Sequence, residues 1–181
     1  ANEKVSHILF GDSHADDKFH GLVQNSPHNE WMLIGHPSCP PLMNVNVDSI
    51  NGTACSERLN KIFNFFNEHE DISTVVISFA HIYPLSNFIA ADHIRRNYKP
   101  SDIVLEDRVG NATTPIDVFE VGLRRTIEYL RNKGINIVIL TDIPELEFMP
   151  EYCLVNKVSC QFNRADVMKR QEVHRALLGK I

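Results

Sequence analysis

Gly11, Asp12, Ser13 and His14 run consecutively and are the residues in this chain best suited to do chemistry. A serine hydroxyl attacks an acyl carbonyl once a base takes its proton, and the oxyanion that forms needs hydrogen-bond donors. Position supplies part of this. His7-Ile8-Leu9-Phe10 reads as a buried strand, and Ala15, Phe19, Leu22 and Val23 then recur at helical spacing, so Ser13 falls in a strand-to-helix turn. The first turn of that helix aims N–H groups and the positive end of its dipole at the hydroxyl. The same residues have a plainer reading, because Asp-Ser ahead of a helix is also the composition of an ordinary N-cap. Asp12 is read as structural, holding the turn through hydrogen bonds to nearby backbone.

The rest of the chain supplies the scaffold for this turn. Trp31-Met32-Leu33-Ile34 makes a second strand, ended by the Pro- and Cys-rich loop from Gly35 to Leu42. Cys55, Leu59, Ile62, Phe63 and Phe66 share one helix face, and Thr74 to Phe79 is a third buried strand. Leu85, Phe88 and Ile89 begin another helix. Thr114 and Pro115 cap a helix that carries Ile116, Phe119, Leu123, Ile127 and Leu130 inward and stops at Gly134; Ile135 to Leu140 then forms a fourth buried strand. Tyr98 to Thr113 reads as a surface excursion, and Asn163 to Leu178 as one last helix. Apolar strands alternating with amphipathic helices imply a parallel sheet covered on both faces, a three-layer α/β/α fold. Ligands of such sheets bind beyond the carboxyl ends of the strands, where Ser13 lies.

Length and charge narrow the function. A chain of 181 residues, 43% hydrophobic, holds one domain with a real core, spanning 1–181. A net charge of −5, with Lys and Arg dispersed, argues against nucleic acid as a partner. No apolar run approaches the roughly 20 residues of a spanning helix, and Ala1-Asn2-Glu3-Lys4 carries no signal pattern, so any export or membrane segment is expected outside the chain. Cys39 with Cys55 and Cys153 with Cys160 are spaced like two short disulfide loops in an oxidising compartment; four buried thiols in a cytosolic protein are the alternative. No C-x-x-C occurs to suggest zinc. Asn51-Gly52-Thr53 and Asn111-Ala112-Thr113 match the glycosylation acceptor pattern, one short enough to arise by chance.

Gly11-Asp12-Ser13-His14-Ala15 resembles the first sequence block of the SGNH (GDSL-like) hydrolases. Cys39-Pro40-Pro41-Leu42, Cys55, the strand Val75-Val76-Ile77-Ser78, and Pro144-Glu145 leading to Pro150 and Cys153 narrow the likeness to the SGNH domain fused to acyltransferase-3 membrane proteins that O-acetylate bacterial surface polysaccharide. The resemblance runs from about His7 to Arg164 and implies the SGNH-hydrolase, flavodoxin-like version of the α/β/α fold. It makes Ser13 the nucleophile and an oxyanion donor, with Gly35 as the second-block glycine donor. It implies no metal or organic cofactor. It also implies an acyl donor from a membrane acyltransferase domain outside this chain, a glycan acceptor, and a periplasmic location tethered to the inner membrane. Transfer to water in place of sugar would make the domain an esterase.

Two departures qualify that expectation. Where the family's third block has Gly-x-Asn-Asp, this chain has Ser78-Phe79-Ala80-His81, so the usual Asn donor is missing and His81 either lines the site with Asp12 and His14 or is structural. The family's Asp-x-x-His base is matched only by Asp17-Lys18-Phe19-His20 on the first helix, a coincidence of spacing, and His174 is preceded at that spacing by Gln171. The domain is therefore expected to lack its last block and to be a poor catalyst as it stands. Two other classes remain: a non-catalytic glycan-binding module of the same fold, and a metallophosphoesterase using Asp12 and His14, with His36 as a later ligand. The mid-chain Asn-His pair of such phosphoesterases is absent.

Overall fold

In a computed structural model describing residues 5–26, 30–48, 55–84, 104–143, 153, 155–156, 161 and 163–181, the apolar run after Ser6 is the central strand β1 (His7–Gly11). It pairs in parallel with β2 (Trp31–Gly35) on one side and with β4 (Thr74–Ser78) on the other; β4 in turn pairs in parallel with β6 (Asn136–Ile139). The order among the described residues is β2-β1-β4-β6. Side chains alternate across the sheet. Ile8, Phe10, Val75 and Ile77 face a core with Leu59, Phe63 and Phe66 of α2 (Cys55–Glu68) and with Leu123, Ile127 and Leu130 of α3 (Pro115–Asn132). Leu9 and Val76 face the other way, against Ala15, Phe19 and Leu22 of α1 (Ser13–Gln24). The result is a three-layer α/β fold, as expected. Fully burying one such side chain contributes about 1.5–3 kcal/mol, so these two faces carry the domain.

Register brings Gly11, Gly35 and Ser78 abreast at the carboxyl end of the sheet. A Cβ on Gly11 would fall on the Ser78 carbonyl oxygen, and one on Gly35 would fall on the Gly11 carbonyl oxygen. Only glycine allows the three backbones to close up directly beneath the Ser13 turn.

The α3 signals hold: Thr114 accepts from the Asp117 N–H at 3.2 Å, Pro115 opens the helix, and Gly134 follows it at φ 76°. Ile116, expected inward, is 39% exposed, because the first turn overhangs the core and Val118 takes the buried position. The fourth strand is shorter than expected and less buried: Val138 is 47% exposed at the outer edge.

The expected excursion from Tyr98 to Thr113 contains a strand, β5 (Val104–Asp107), which pairs antiparallel with β3 (Val45–Asp48). Both strands have only four residues; Val45 and Val47 are buried between polar neighbours and Leu105 between exposed Val104 and Glu106, too short a pattern to stand out from sequence. Arg125 of α3 ties this small sheet down with two bonds to the Asp107 carboxylate, at 2.7 and 3.2 Å. The last helix is in fact two, α4 (Arg164–Arg170) and α5 (Glu172–Leu178), broken at Gln171, whose buried side chain donates to the Asp142 carbonyl at 2.9 Å.

Cys39 and Cys55 form a disulfide that pins the loop after β2 to the start of α2. Cys153 is also disulfide-bonded. Cys160, the expected helix at Leu85–Ile89, Asn51–Thr53 and the segment from Pro144 to Pro150 lie outside the described residues.

Candidate functional site

The β1–α1 turn is built around Asp12, the N-cap of α1 and only 3% exposed. Its Oδ1 accepts from the His14 N–H at 2.8 Å, while Oδ2 accepts from the Ala80 N–H at 3.0 Å and the Tyr83 hydroxyl at 2.7 Å. One carboxylate thus joins α1 to the loop after β4. Burial, reinforced by the Asp12 charge, holds the Tyr83 phenol protonated far above its usual range. Ser13, the next residue, is exposed on the first turn of α1.

A second buried carboxylate, Asp142, stands three residues past β6. Its Oδ1 lies 2.7 Å from His14 Nδ1 and its Oδ2 lies 2.8 Å from His81 Nδ1. Oδ2 also accepts from the His81 backbone N–H at 3.0 Å, and Oδ1 from the Ile143 N–H at 2.8 Å. An ionised carboxylate can only accept, so both imidazoles present Nδ1–H to it. Burial opposes ionisation of Asp142, but the hydrogen bonds from His14 and His81 prevail and hold its carboxyl well below the usual range. The hydrogen bond to Asp142 in turn raises the pKa of His14 against the opposing effect of burial. Lys18 Nζ stands 3.7 Å from Asp142 Oδ1 and donates to the His14 carbonyl at 2.8 Å.

Behind His81 lies His174 of α5, 1% exposed and edge-on to the rings of Phe79 and His81. Among the described residues neither of its ring nitrogens has a hydrogen-bond partner. Burial, and then the charge of His81, push its pKa down to about 4, so the ring is neutral at ordinary pH.

The structure therefore gathers Asp12, Ser13, His14 and His81 at the carboxyl end of the sheet, with Gly35 one strand away beside Gly11. Asp12 spends both carboxylate oxygens on the turn and on the loop after β4. His81 is buried, with its backbone N–H and its ring Nδ1 both on Asp142 Oδ2. His36 is half-buried and turns to the Pro37 carbonyl, while Asp17 and His20 are exposed along α1, with His20 paired to Gln24. Among the described residues no group of three or more His, Cys, Asp or Glu is arranged to hold a metal ion.

Sequence reasoning missed Asp142, Tyr83 and the role of Gln171. The available signal was position, since Asp142 directly follows the run Ile135–Leu140 and Thr141, at the ligand-binding end of a parallel sheet.

A family model described as the SGNH domain fused to AT3 domains matches residues 2–181. The solved periplasmic domain of the lipopolysaccharide acetyltransferase from Salmonella ser. Paratyphi A is similar in fold, with a TM-score of 0.58 at 11% sequence identity, over 99% of this chain and 64% of that one. The chain thus spans somewhat less than two thirds of that relative. No curated protein sequence matches it.

Proposed function

The chain belongs to the family of SGNH domains fused to AT3 domains, and from that premise we propose that Ser13 is the nucleophile of an acyl-transfer reaction. The observation that carries this reading is the exposure of Ser13 on the first turn of α1, directly beyond the central strand, on a turn fixed by a fully engaged Asp12. In the reaction, Ser13 Oγ bonds to the acyl carbon and its proton passes to a base. The C–O bond of the donor then breaks, with the proton going to the leaving oxygen. A second hydroxyl reverses these steps and carries the acyl group away. The N–H groups of Ser13 and Gly35 stand as donors to the oxyanion.

The similar periplasmic domain is that of a lipopolysaccharide acetyltransferase. By analogy the acyl group is acetyl, the acceptor a hydroxyl of a bacterial surface polysaccharide, and the donor is delivered by the AT3 membrane domain named in the family description. The same reading places the domain in the periplasm, tethered to the inner membrane through that partner. Among the described residues no helix is long and apolar enough to cross a membrane. The base in this reading is the family's Asp-x-x-His histidine, a role for which the exposed Asp17 and His20 of α1 are poorly placed.

Intact-mass analysis after fluorophosphonate treatment, beside Ser13→Ala, tests this. A single adduct on the wild type that the variant lacks supports the acyl-enzyme. A folded wild type with no adduct would overturn it in favour of a glycan-binding module.

A further inference from the structure

The nucleophile reading leaves unexplained why a buried carboxylate at the end of β6 should hold the residue next to Ser13. Ser13 and His14 are neighbours on a helix, so their side chains leave the axis about 100° apart; adjacency does not let His14 take the Ser13 proton. His14 points instead to Asp142, which has 0% side-chain exposure, while the His14 side chain remains 37% exposed. With Nδ1 committed to the carboxylate, the remaining ring nitrogen is Nε2.

We infer that Asp142 is a positioning residue for the Ser13 turn, acting through His14: its carboxylate clamps the imidazole and presents the outer edge of the ring as a donor to an anionic or developing-anion group of the substrate beside Ser13. The inference rests on Ser13 being the nucleophile, and it names a donor in a site whose third block lacks the usual Asn. The residues in that block have other work. The Ala80 N–H binds Asp12, and His81 binds Asp142 through both backbone and ring.

The groups around His14 favour such a role. Asp142 from the β6 end and Asp12 from its own turn favour the protonated ring, in that order; burial and Lys18 of α1 oppose it, and the balance is a raised pKa. Ser78 of β4 faces the His14 carbonyl at 3.4 Å through its hydroxyl. His81 shares the Asp142 carboxylate on its other oxygen, and the Asp142 carbonyl is held by Gln171. The clamp is thus anchored to three elements and its geometry is preset, which is the condition for a donor to favour a transition state.

Two readouts test the proposal. NMR titration of His14 in the 181-residue chain should show its midpoint fall in Asp142→Asn. Fluorophosphonate labelling of Ser13 in the full-length protein should slow at least ten-fold in Asp142→Asn and in His14→Gln, whose amide keeps a donor to Asp142 but cannot carry the charge. For His14→Gln the deficit should shrink as pH rises through the wild-type His14 midpoint, a dependence that a merely structural role would not produce. A labelled wild type with an unmoved His14 midpoint in Asp142→Asn, or a His14→Gln protein that labels at the wild-type rate at every pH, would overturn this inference alone. An unlabelled wild type would overturn the nucleophile reading, and this one with it. Should Asp142→Asn fail to fold, His14→Gln still decides, because its side chain is partly exposed.

Discussion

His14 Nδ1 lies 2.7 Å from Asp142 Oδ1, joining two residues 128 positions apart in the chain. The bond ties the first crossover of the sheet to the last described strand. Asp12 makes a parallel tie, from the same turn to the loop after β4 through Ala80 and Tyr83. The two carboxylates flank Ser13 in structure without either being its sequence-evident base partner, so the turn is held from both sides before any substrate arrives.

Removing the Asp12 carboxylate should be among the most damaging single changes. Asp12→Ala loses a helix cap, at about 0.5–2 kcal/mol, and strands the buried Ala80 N–H and Tyr83 hydroxyl at about 1–3 kcal/mol each. The expected destabilisation is about 3–5 kcal/mol, dominated by the stranded donors. Tyr83→Phe removes one partner only and should cost about 1.5–3 kcal/mol. Urea unfolding midpoints would measure both; an Asp12→Ala protein no less stable than Tyr83→Phe would show that the Asp12 ties carry no weight.

The sheet and the Ser13 turn were legible in sequence because they are local. β1, β2 and β4 are unbroken apolar runs, and the turn sits between a strand period and a helix period. Gly35 was legible as a position after a strand, though only the register shows that its lack of a Cβ lets β2 approach Gly11. Asp142 was not legible as a partner, since the histidines it binds are 128 and 61 residues away and a lone Asp after a strand has no local pattern. β3 and β5 failed for a different reason: each offers only one or two buried residues, and the pairing that stabilises them spans some 60 positions. The break at Gln171 follows from a tertiary bond to Asp142 that helical periodicity does not record.

Gly122 on α3 provides a packing test. A Cβ there would stand 2.6 Å from Val45 Cγ2 and 3.1 Å from Leu42 Cβ, where α3 crosses the loop into β3. Alanine gains about 1 kcal/mol of helix propensity, whereas forcing a methyl into a filled contact costs about 1–3 kcal/mol. The nearby clamp resists relaxation, because Thr126 accepts from the Met43 N–H and faces the Pro41 carbonyl. Gly122→Ala should therefore be neutral to about 2 kcal/mol less stable, whereas at the open Gly21 the same change should stabilise. Equal gains at both positions would refute the close approach.

The Cys39–Cys55 bridge closes a loop of 16 positions between β2 and α2. On the chain-entropy account a loop of that size contributes about 3 kcal/mol. A Cys39→Ala, Cys55→Ala double variant, which leaves the bridge at Cys153 intact, should lower the thermal midpoint while leaving the far-UV spectrum of the folded state unchanged. A midpoint within experimental error of wild type would show that the surrounding core already fixes this loop.

Two histidines should shape opposite sides of the stability profile. His174 has its pKa pushed down to about 4 by burial and by the charge of His81. The unfolded imidazole protonates near 6.5, so the contribution is complete above that pH and is lost as pH falls toward 4, amounting to about 2 kcal/mol between pH 7 and pH 5. His14 behaves in the opposite sense, because its pKa is raised, first by the hydrogen bond to Asp142. Its contribution is fully present below the unfolded value and is lost as pH rises through the folded one. Asp142, held below the usual carboxylate range, adds to the acid loss only where unfolded carboxyls begin to protonate, below about pH 5. Urea midpoints measured from pH 5 to 8 on wild type, His174→Leu and His14→Gln separate these effects. His174→Leu should flatten the acid side alone, and should raise stability there because it replaces a buried imidazole that has no hydrogen-bond partner among the described residues by an apolar group. His14→Gln should flatten the neutral-to-alkaline side alone. An acid side in His174→Leu as steep as in wild type would mean that α5 opens to hydrate that ring before the domain unfolds, and that the packing of α5 on Phe79 is not cooperative with the sheet.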